Sequence, residues 1–158
     1  MRARSTARLV LSLSVCLGVG ILGSLVTRSE IPTWYASLTK PSWTPPPLAF
    51  PIVWTALYIL MGISFWRLWE SEPGSQARST AMVLFLAQLA LNAGWSPVFF
   101  GWHDPLSALV IIAALLPAIG ATIVFTSQVD RVAAGLLAPY LAWVAYASTI
   151  NAGVVVLN

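Results

Sequence analysis

Five long apolar runs constrain the fold of this chain more than any other feature of its sequence. They cover roughly residues 7–26, 49–69, 80–100, 106–127 and 132–157. A helix of about 20 apolar residues crosses the roughly 30 Å hydrocarbon core of a bilayer, because it rises about 1.5 Å per residue and satisfies its own backbone hydrogen bonds. The sequence therefore predicts an all-α membrane protein, a bundle of five transmembrane helices.

Composition and link lengths support a single bundle. Of the 158 residues, 58% are hydrophobic and 8% are charged, whereas about 25% are charged in an ordinary soluble domain. Because the links between the runs are short, neighbouring helices must be antiparallel. We expect residues 1–158 to form one transmembrane domain, with no room for a second.

The basic residues predict the orientation of the bundle. They are spread singly rather than along a stripe, which argues against nucleic acid as a partner. Six of the eight basic residues fall on the side of the N-terminus, and only Arg28 and Lys40 fall on the opposite side. The positive-inside tendency therefore predicts a cytoplasmic N-terminus. An alternative is that the first run is a cleaved secretory signal, although its apolar stretch is long for one. The side of the N-terminus receives Arg2, Arg4, Arg8, Arg67, Arg78 and Arg131.

The five runs lack ionisable groups in their interiors. Proton-coupled transporters usually keep such groups at mid-membrane, and hydrolases need acid–base pairs, so both classes are disfavoured. The single Cys16 excludes a disulfide within the chain and predicts no metal site. His103, in the link "GWHDP", is interpreted as a solvated or capping residue, with ligation of a haem iron as the alternative.

Three helix faces carry aromatic and amide side chains at helical spacing. An amide facing lipid would leave its donors and acceptors unpaired at a cost of a few kcal/mol, so the amides are expected to face inward. Trp54, Trp95 and Asn151 each lie about 9 Å inside the same side of the membrane by helical rise. This convergence predicts a pocket for flat conjugated ligands, with tight aromatic packing as the alternative. The faces are Trp54, Tyr58, Met61 and Phe65; Gln88, Asn92, Trp95 and Phe99; and Tyr140, Trp143, Ala147 and Asn151.

The segment "WYASLTKPSWTPPP", residues 34–47, follows the first run on that same side. Its prolines fix φ near −65° and bias the preceding residues toward extended backbone, which predicts a stiff, non-helical lid over the pocket. Trp34, Tyr35, Pro41 and Trp43 are its candidate lid residues. The alternative is a simple belt of aromatic residues at the membrane interface.

Four stretches of the sequence together resemble the TspO/MBR family: this segment, "FPIVWTALY", "LNAGWSPVFFG" and "APYLAWVAYASTIN". Members of this family are called tryptophan-rich sensory proteins, translocator proteins or peripheral-type benzodiazepine receptors. The resemblance runs from residue 34 to about residue 151 in the family's order. It implies a five-helix bundle, often a homodimer, that binds porphyrins such as protoporphyrin IX or haem, with no cofactor required. By position it implies these ligand-binding residues: Tyr35, Trp54, Tyr58, Asn92, Trp95, Phe99, Trp143 and Ala147.

Three functions follow from the resemblance as expectations. The first is a sensor, carrier or scavenger in tetrapyrrole homeostasis. The second is light-dependent degradation of protoporphyrin, in which Trp54 and Trp143 would be the catalytic residues. The third is a structural or regulatory partner of another membrane protein.

Sterol binding through the C-terminal pattern of the animal members is not supported, because "STINAGVVVLN" lacks its Tyr and its basic residue. A bacterial cell membrane is the expected location, with an outer membrane as the alternative.

Overall fold

The computed structural model describes residues 2–71 and 74–158. Within this part of the chain, five helices are long and apolar enough to cross a membrane. The predicted fold is therefore confirmed, and the chain is an integral membrane protein. The helices are α1 (Arg2–Glu30), the single turn α2 (Trp34–Ser37), α3 (Ala49–Glu70), α4 (Gln76–Ser96), which continues as a π-helix (Pro97–Gly101), α5 (Pro105–Ser127), α6 (Arg131–Leu136) and α7 (Ala138–Leu157).

The helices differ from the apolar runs at their ends and at two prolines. The first helix extends beyond residues 7–26 in both directions, because backbone hydrogen bonding continues outside the apolar part of the sequence. The run 132–157 was predicted as one span, and the stretch Arg131–Leu157 is indeed long and apolar enough to be one. A turn at Leu137 divides it into α6 and α7. Pro139 lies in the first turn of α7, where its missing N–H costs nothing. Pro97 lies where α4 passes into the π-helix, and its missing N–H removes one α-helical hydrogen bond at this junction.

Glycines allow α1 to approach α3 closely. A Cβ placed on Gly62 would lie 3.0 Å from the Cα of Leu13, and one on Gly20 would lie 2.6 Å from the ring of Tyr58. Small residues at such crossings bring helix backbones into van der Waals contact, which drives helix association where lipid removes the hydrophobic effect. The helix α5 packs against α4 and α7 and completes the bundle, whereas α1 packs mainly against α3.

The two ends of the bundle differ in chemistry. We call the end with residues 34–47 the lid side and the opposite end the far side. On the far side, the carboxylate of Asp130 accepts hydrogen bonds from the N–H groups of Val132 at 2.8 Å and Ala133 at 3.0 Å, which caps α6. It also forms an ion pair of 2.9 Å with Arg67 on α3. This carboxylate therefore links the start of α6 to the end of α3.

Replacing Asp130 with asparagine is expected to lower stability by about 1 kcal/mol at neutral pH, because the ion pair and the charge at the helix N-terminus are lost. Burial alone raises the pKa of Asp130, but the N–H of Ala133, Arg67 and the N–H of Val132 together hold it below its ordinary value. A lowered pKa stabilises the folded state above the ordinary value of about 3.9, and this contribution disappears as the pH falls through the folded pKa. Thermal unfolding of both proteins in detergent at pH 7 and pH 2.5 tests this, and an equal difference at both pH values would contradict it.

Candidate ligand-binding site beneath the lid

An aromatic and amide group lies between α3 and α4. The hydroxyl of Tyr58 donates a hydrogen bond of 2.6 Å to Oδ1 of Asn92. The ring of Trp54 stacks on Tyr58 with a centroid distance of 5.4 Å and meets the edge of Tyr140, on α7, at 6.2 Å. Three helices thus contribute to one group, in which indole and phenol rings surround a buried amide.

A second amide lies one turn deeper on α4. The hydroxyl of Tyr140 donates a hydrogen bond of 2.9 Å to Oε1 of Gln88. The residues Gln88, Asn92 and Asn151 are 1%, 6% and 2% exposed. The prediction that the amides face inward is confirmed, because an amide in contact with lipid would lose the hydrogen bonds that these make.

Helix α7 adds Trp143 and Ala147 to the same core. The ring of Trp143 meets the edge of Phe50, at the start of α3, at 6.0 Å and the ring of Tyr146 at 5.7 Å. Trp143 is only partly buried. It therefore lies at the margin of the core, although its indole nitrogen is buried.

Trp95 and Phe99 lie nearer the lid. Their rings stack with a centroid distance of 4.9 Å. The indole N–H of Trp95 donates to Oδ1 of Asn151 at 3.0 Å, and Nδ2 of Asn151 donates to the carbonyl of Pro105 at 2.8 Å. One amide on α7 therefore connects the ends of α4 and α5 on the lid side.

The lid begins with a helical turn and then becomes extended. The ring of Trp34 meets the edge of Phe99 at 5.5 Å, and Tyr35 lies 5.6 Å from Phe100. Burial raises the pKa of the Tyr35 hydroxyl, which stays protonated. The prediction of a non-helical lid is wrong for α2. The first proline within the segment 34–47 is Pro41, and it restricts the backbone conformation of only the residue directly before it.

Polar contacts hold the rest of the lid on α7. The N–H and the carbonyl of Thr39 both pair with the side chain of Asn158, each at 3.0 Å. The indole N–H of Trp43 donates to Oγ1 of Thr149 at 3.2 Å, and the hydroxyl of Tyr146 donates to the carbonyl of Trp43 at 2.5 Å. We call these contacts the latch.

Pro41 occupies the centre of the latch. It is buried, and its ring lies against Gly153 so closely that a Cβ on Gly153 would overlap Cγ of the proline. Only glycine permits this approach between the lid and the last turns of α7.

His103 lies on the surface of the lid side. Its Nε2 lies 2.9 Å from Oε2 of Glu30, and its ring stacks on Trp34 with a centroid distance of 4.4 Å. Asp104 caps α5 by accepting from the N–H of Ser107 at 3.0 Å, and hydrogen bonds with Ser107 hold its pKa below the ordinary value. Among the described residues, no three His, Cys, Asp or Glu side chains form a group that could hold a metal ion.

The residues singled out in the sequence fall into two connected groups. Sequence reasoning placed Tyr140 on the helix face that predicts the pocket but not among the ligand-binding residues, and it did not place Phe50, Gly153 or Asn158 in the site or latch. The core group contains Trp54, Tyr58, Asn92, Trp143 and Ala147, and the lid group contains Trp34, Tyr35, Pro41, Trp43, Trp95 and Phe99.

These features define a class of membrane protein: a five-helix bundle with an interior of aromatic and amide side chains beneath a proline-rich lid. The sequence pattern of the TspO/MBR family matches residues 12–157. The chain belongs to this family, as its four ordered motifs predicted.

Relatives from distant organisms are similar over most of their length. The tryptophan-rich protein TspO of Chlorobaculum tepidum is 41% identical over 150 residues, which are 95% of this chain and 95% of that protein. The translocator protein of Homo sapiens is 40% identical over 131 residues, 82% of this chain and 78% of its own. The tryptophan-rich sensory protein of Cereibacter sphaeroides is 36% identical over 146 residues, 92% and 88% of the two chains.

Proposed function

We propose that this protein binds porphyrins and related tetrapyrroles within the membrane and acts as a sensor, carrier or scavenger of them. The observation that carries the proposal is the meeting of Trp54, Tyr58 and Asn92 with α7 in one buried group. Flat conjugated rings are suited to such a group, because indole and phenol rings stack on their faces while an amide orients one polar edge.

The chemistry of the spans favours binding over turnover. Their interiors contain hydroxyl, amide and indole groups but no carboxylate, ammonium or guanidinium group, so an acid–base reaction has no donor or acceptor of suitable pKa. Relatives are named for sensing and for translocation. Neither name describes a chemical conversion.

The lid supports the same proposal. Trp34 and Tyr35 cover Phe99 and Phe100, and the latch holds the remaining lid residues on α7. A preordered lid loses less conformational entropy when a ligand binds than a flexible one would. Release would require the lid to leave α7, which gives the protein control over exchange of its ligand.

Replacing Trp143 with leucine is expected to weaken binding of protoporphyrin IX about tenfold, because one stacking surface worth about 1.4 kcal/mol is lost. The measurement is quenching of tryptophan fluorescence during a protoporphyrin titration of protein in lipid nanodiscs. Trp102→Leu is the matched control, because Trp102 is 74% exposed and lies outside both groups. Quenching that does not saturate, or that is equal in the two variants, would contradict the proposal and favour a structural or regulatory role.

Homodimer formation stays a prediction. Ala90 is exposed on α4, and a Cβ on Gly94, one turn later, would meet no atom within 4 Å. This surface of small residues permits close approach of a second helix.

A further inference from the structure

A separate cleft lies on the far side of the bundle, between the end of α3 and the start of α6. Its volume is about 170 Å³. None of the residues that line it belongs to the core group, the lid group or the latch. They are Trp66, Arg67, Glu70, Ser71 and Asp130. Because three of these five side chains are charged, the cleft is suited to a polar or charged ligand.

Two opposite charges in the cleft do not pair with each other. Arg67 and Glu70 are three residues apart on α3, a spacing that places Cβ atoms about 5–6 Å apart and allows opposite charges to pair. Each bonds to another part of the chain instead. Nη2 of Arg67 lies 2.9 Å from Oδ2 of Asp130, and Nη1 of Arg8 lies 2.9 Å from Oε1 of Glu70. The cleft therefore keeps a cation and an anion side by side.

Both of these groups keep bonding capacity that the described residues do not use. A guanidinium has five N–H donors, whereas the Arg67 guanidinium contacts only Asp130 within the described chain. The contact of Glu70 with Arg8 uses Oε1, so Oε2 accepts no hydrogen bond from a described residue. The side chains of Arg67 and Glu70 are 36% and 33% exposed. A ligand can therefore reach a free donor and a free acceptor in one place.

The cleft lies at the depth of lipid headgroups. The second span ends at Glu70, and the last span begins at Arg131, directly after Asp130. The ends of spans lie at the boundary between hydrocarbon and headgroups, where tryptophans such as Trp66 are common. Val132 beside the cleft is 57% exposed and offers apolar surface. A ligand that carries acyl chains is therefore favoured over a soluble one.

The charges of the cleft decide which headgroup fits. The headgroup of phosphatidylglycerol would bring an anion beside two carboxylates with no cation of its own. Phosphatidylcholine has a cation, but its trimethylammonium has no N–H to donate. Phosphatidylethanolamine carries a phosphate and an ammonium with three N–H donors, and both form strong charge-assisted hydrogen bonds. We propose that this cleft binds the headgroup of phosphatidylethanolamine, with the phosphate on Arg67 and the ammonium on Glu70.

The test compares lipids with identical acyl chains by native mass spectrometry of the full chain in detergent. The first phosphatidylethanolamine is expected to bind about fivefold more tightly than phosphatidylcholine, the value of about one net hydrogen bond. The N-methyl and N,N-dimethyl lipids are expected to fall between them in order, because each methyl group removes one donor. Equal affinity along this series would overturn the inference. Tighter binding of phosphatidylglycerol would also overturn it, because the site would then select anions.

Two variants separate the ends of the headgroup. Glu70→Gln is expected to reduce the preference over phosphatidylcholine to about twofold or less, and the exposed pair that it removes contributes little to stability. Arg67→Gln is expected to weaken both lipids about equally and to keep their ratio, because both carry a phosphate. Glu30→Gln, the same change at a residue that pairs with His103 on the lid side, is the matched control and is expected to keep the wild-type preference. A preference that survived in Glu70→Gln would overturn the assignment.

A soluble competitor distinguishes a lipid from a free metabolite. Glycerophosphoethanolamine has the same headgroup without acyl chains. It is expected to leave the lipid bound at about a hundredfold excess, because burial of the chains adds affinity. Displacement at that excess would show a site for a soluble phosphate ester and would overturn the proposal of a lipid.

Discussion

Replacing Gly153 with alanine is expected to speed hydrogen exchange in the lid about ten- to a hundredfold. The new methyl group would occupy the position of the Pro41 ring, which is stiff and buried and cannot rotate away. Relief of this overlap requires the lid to leave α7, and overpacking of this kind costs about 1–3 kcal/mol. Alanine also favours the helix over glycine, but by only about 1 kcal/mol. The overlap therefore dominates.

The measurement is hydrogen–deuterium exchange of the peptide that contains Thr39, whose N–H is held by Asn158 in the latch. Gly94→Ala is the matched control, because a methyl group there meets no atom within 4 Å, and its lid is expected to exchange at the wild-type rate. Unchanged exchange in Gly153→Ala would show that the close approach of Pro41 does not hold the lid.

Replacing Gly62 with leucine is expected to destabilise the bundle by about 3 kcal/mol, the upper part of the range for overpacking. The first added carbon already lies 3.0 Å from Cα and 3.3 Å from the amide nitrogen of Leu13. These are backbone atoms of α1, which cannot move without separating two helices along their length. Unfolding of the purified protein in increasing SDS measures the loss.

Gly18→Leu is the control for Gly62→Leu. It lies on α1, but a Cβ there meets no atom within 4 Å, so the helix contact is undisturbed. Both substitutions add the same hydrophobic side chain and remove one glycine from a helix. If the two variants unfolded at the same SDS concentration, the contact between α1 and α3 would not limit stability.

The fold could be predicted from the sequence because a bilayer permits few solutions. Apolar runs of sufficient length must be helices there, and short links make them antiparallel. The ends of the helices could not be predicted equally well, since hydropathy reports where lipid lies and not where backbone hydrogen bonds stop. The break at Leu137 depends on Pro139, whose effect in a helix varies with its distance from the helix end.

The inner part of the site was predictable for a different reason. Amides are costly in lipid, so Gln88, Asn92 and Asn151 had to face the bundle interior. Their partners were not predictable, because the pairing of Tyr140 with Gln88 depends on how far α7 is rotated relative to α4. The latch was missed because its members are far apart in sequence: 119 positions separate Thr39 from Asn158.

One helix carries both Trp143 and the attachment of the lid. From Trp143 to Gly153 it is a continuous α-helix. Because a helix of this length is stiff, a displacement at Trp143 would also move Gly153. A ligand that pushed the indole outward would therefore tilt the surface on which Pro41 lies. Under the proposed function, occupancy of the interior and opening of the entrance are therefore expected to be linked through α7, and a ligand is expected to take part in its own release.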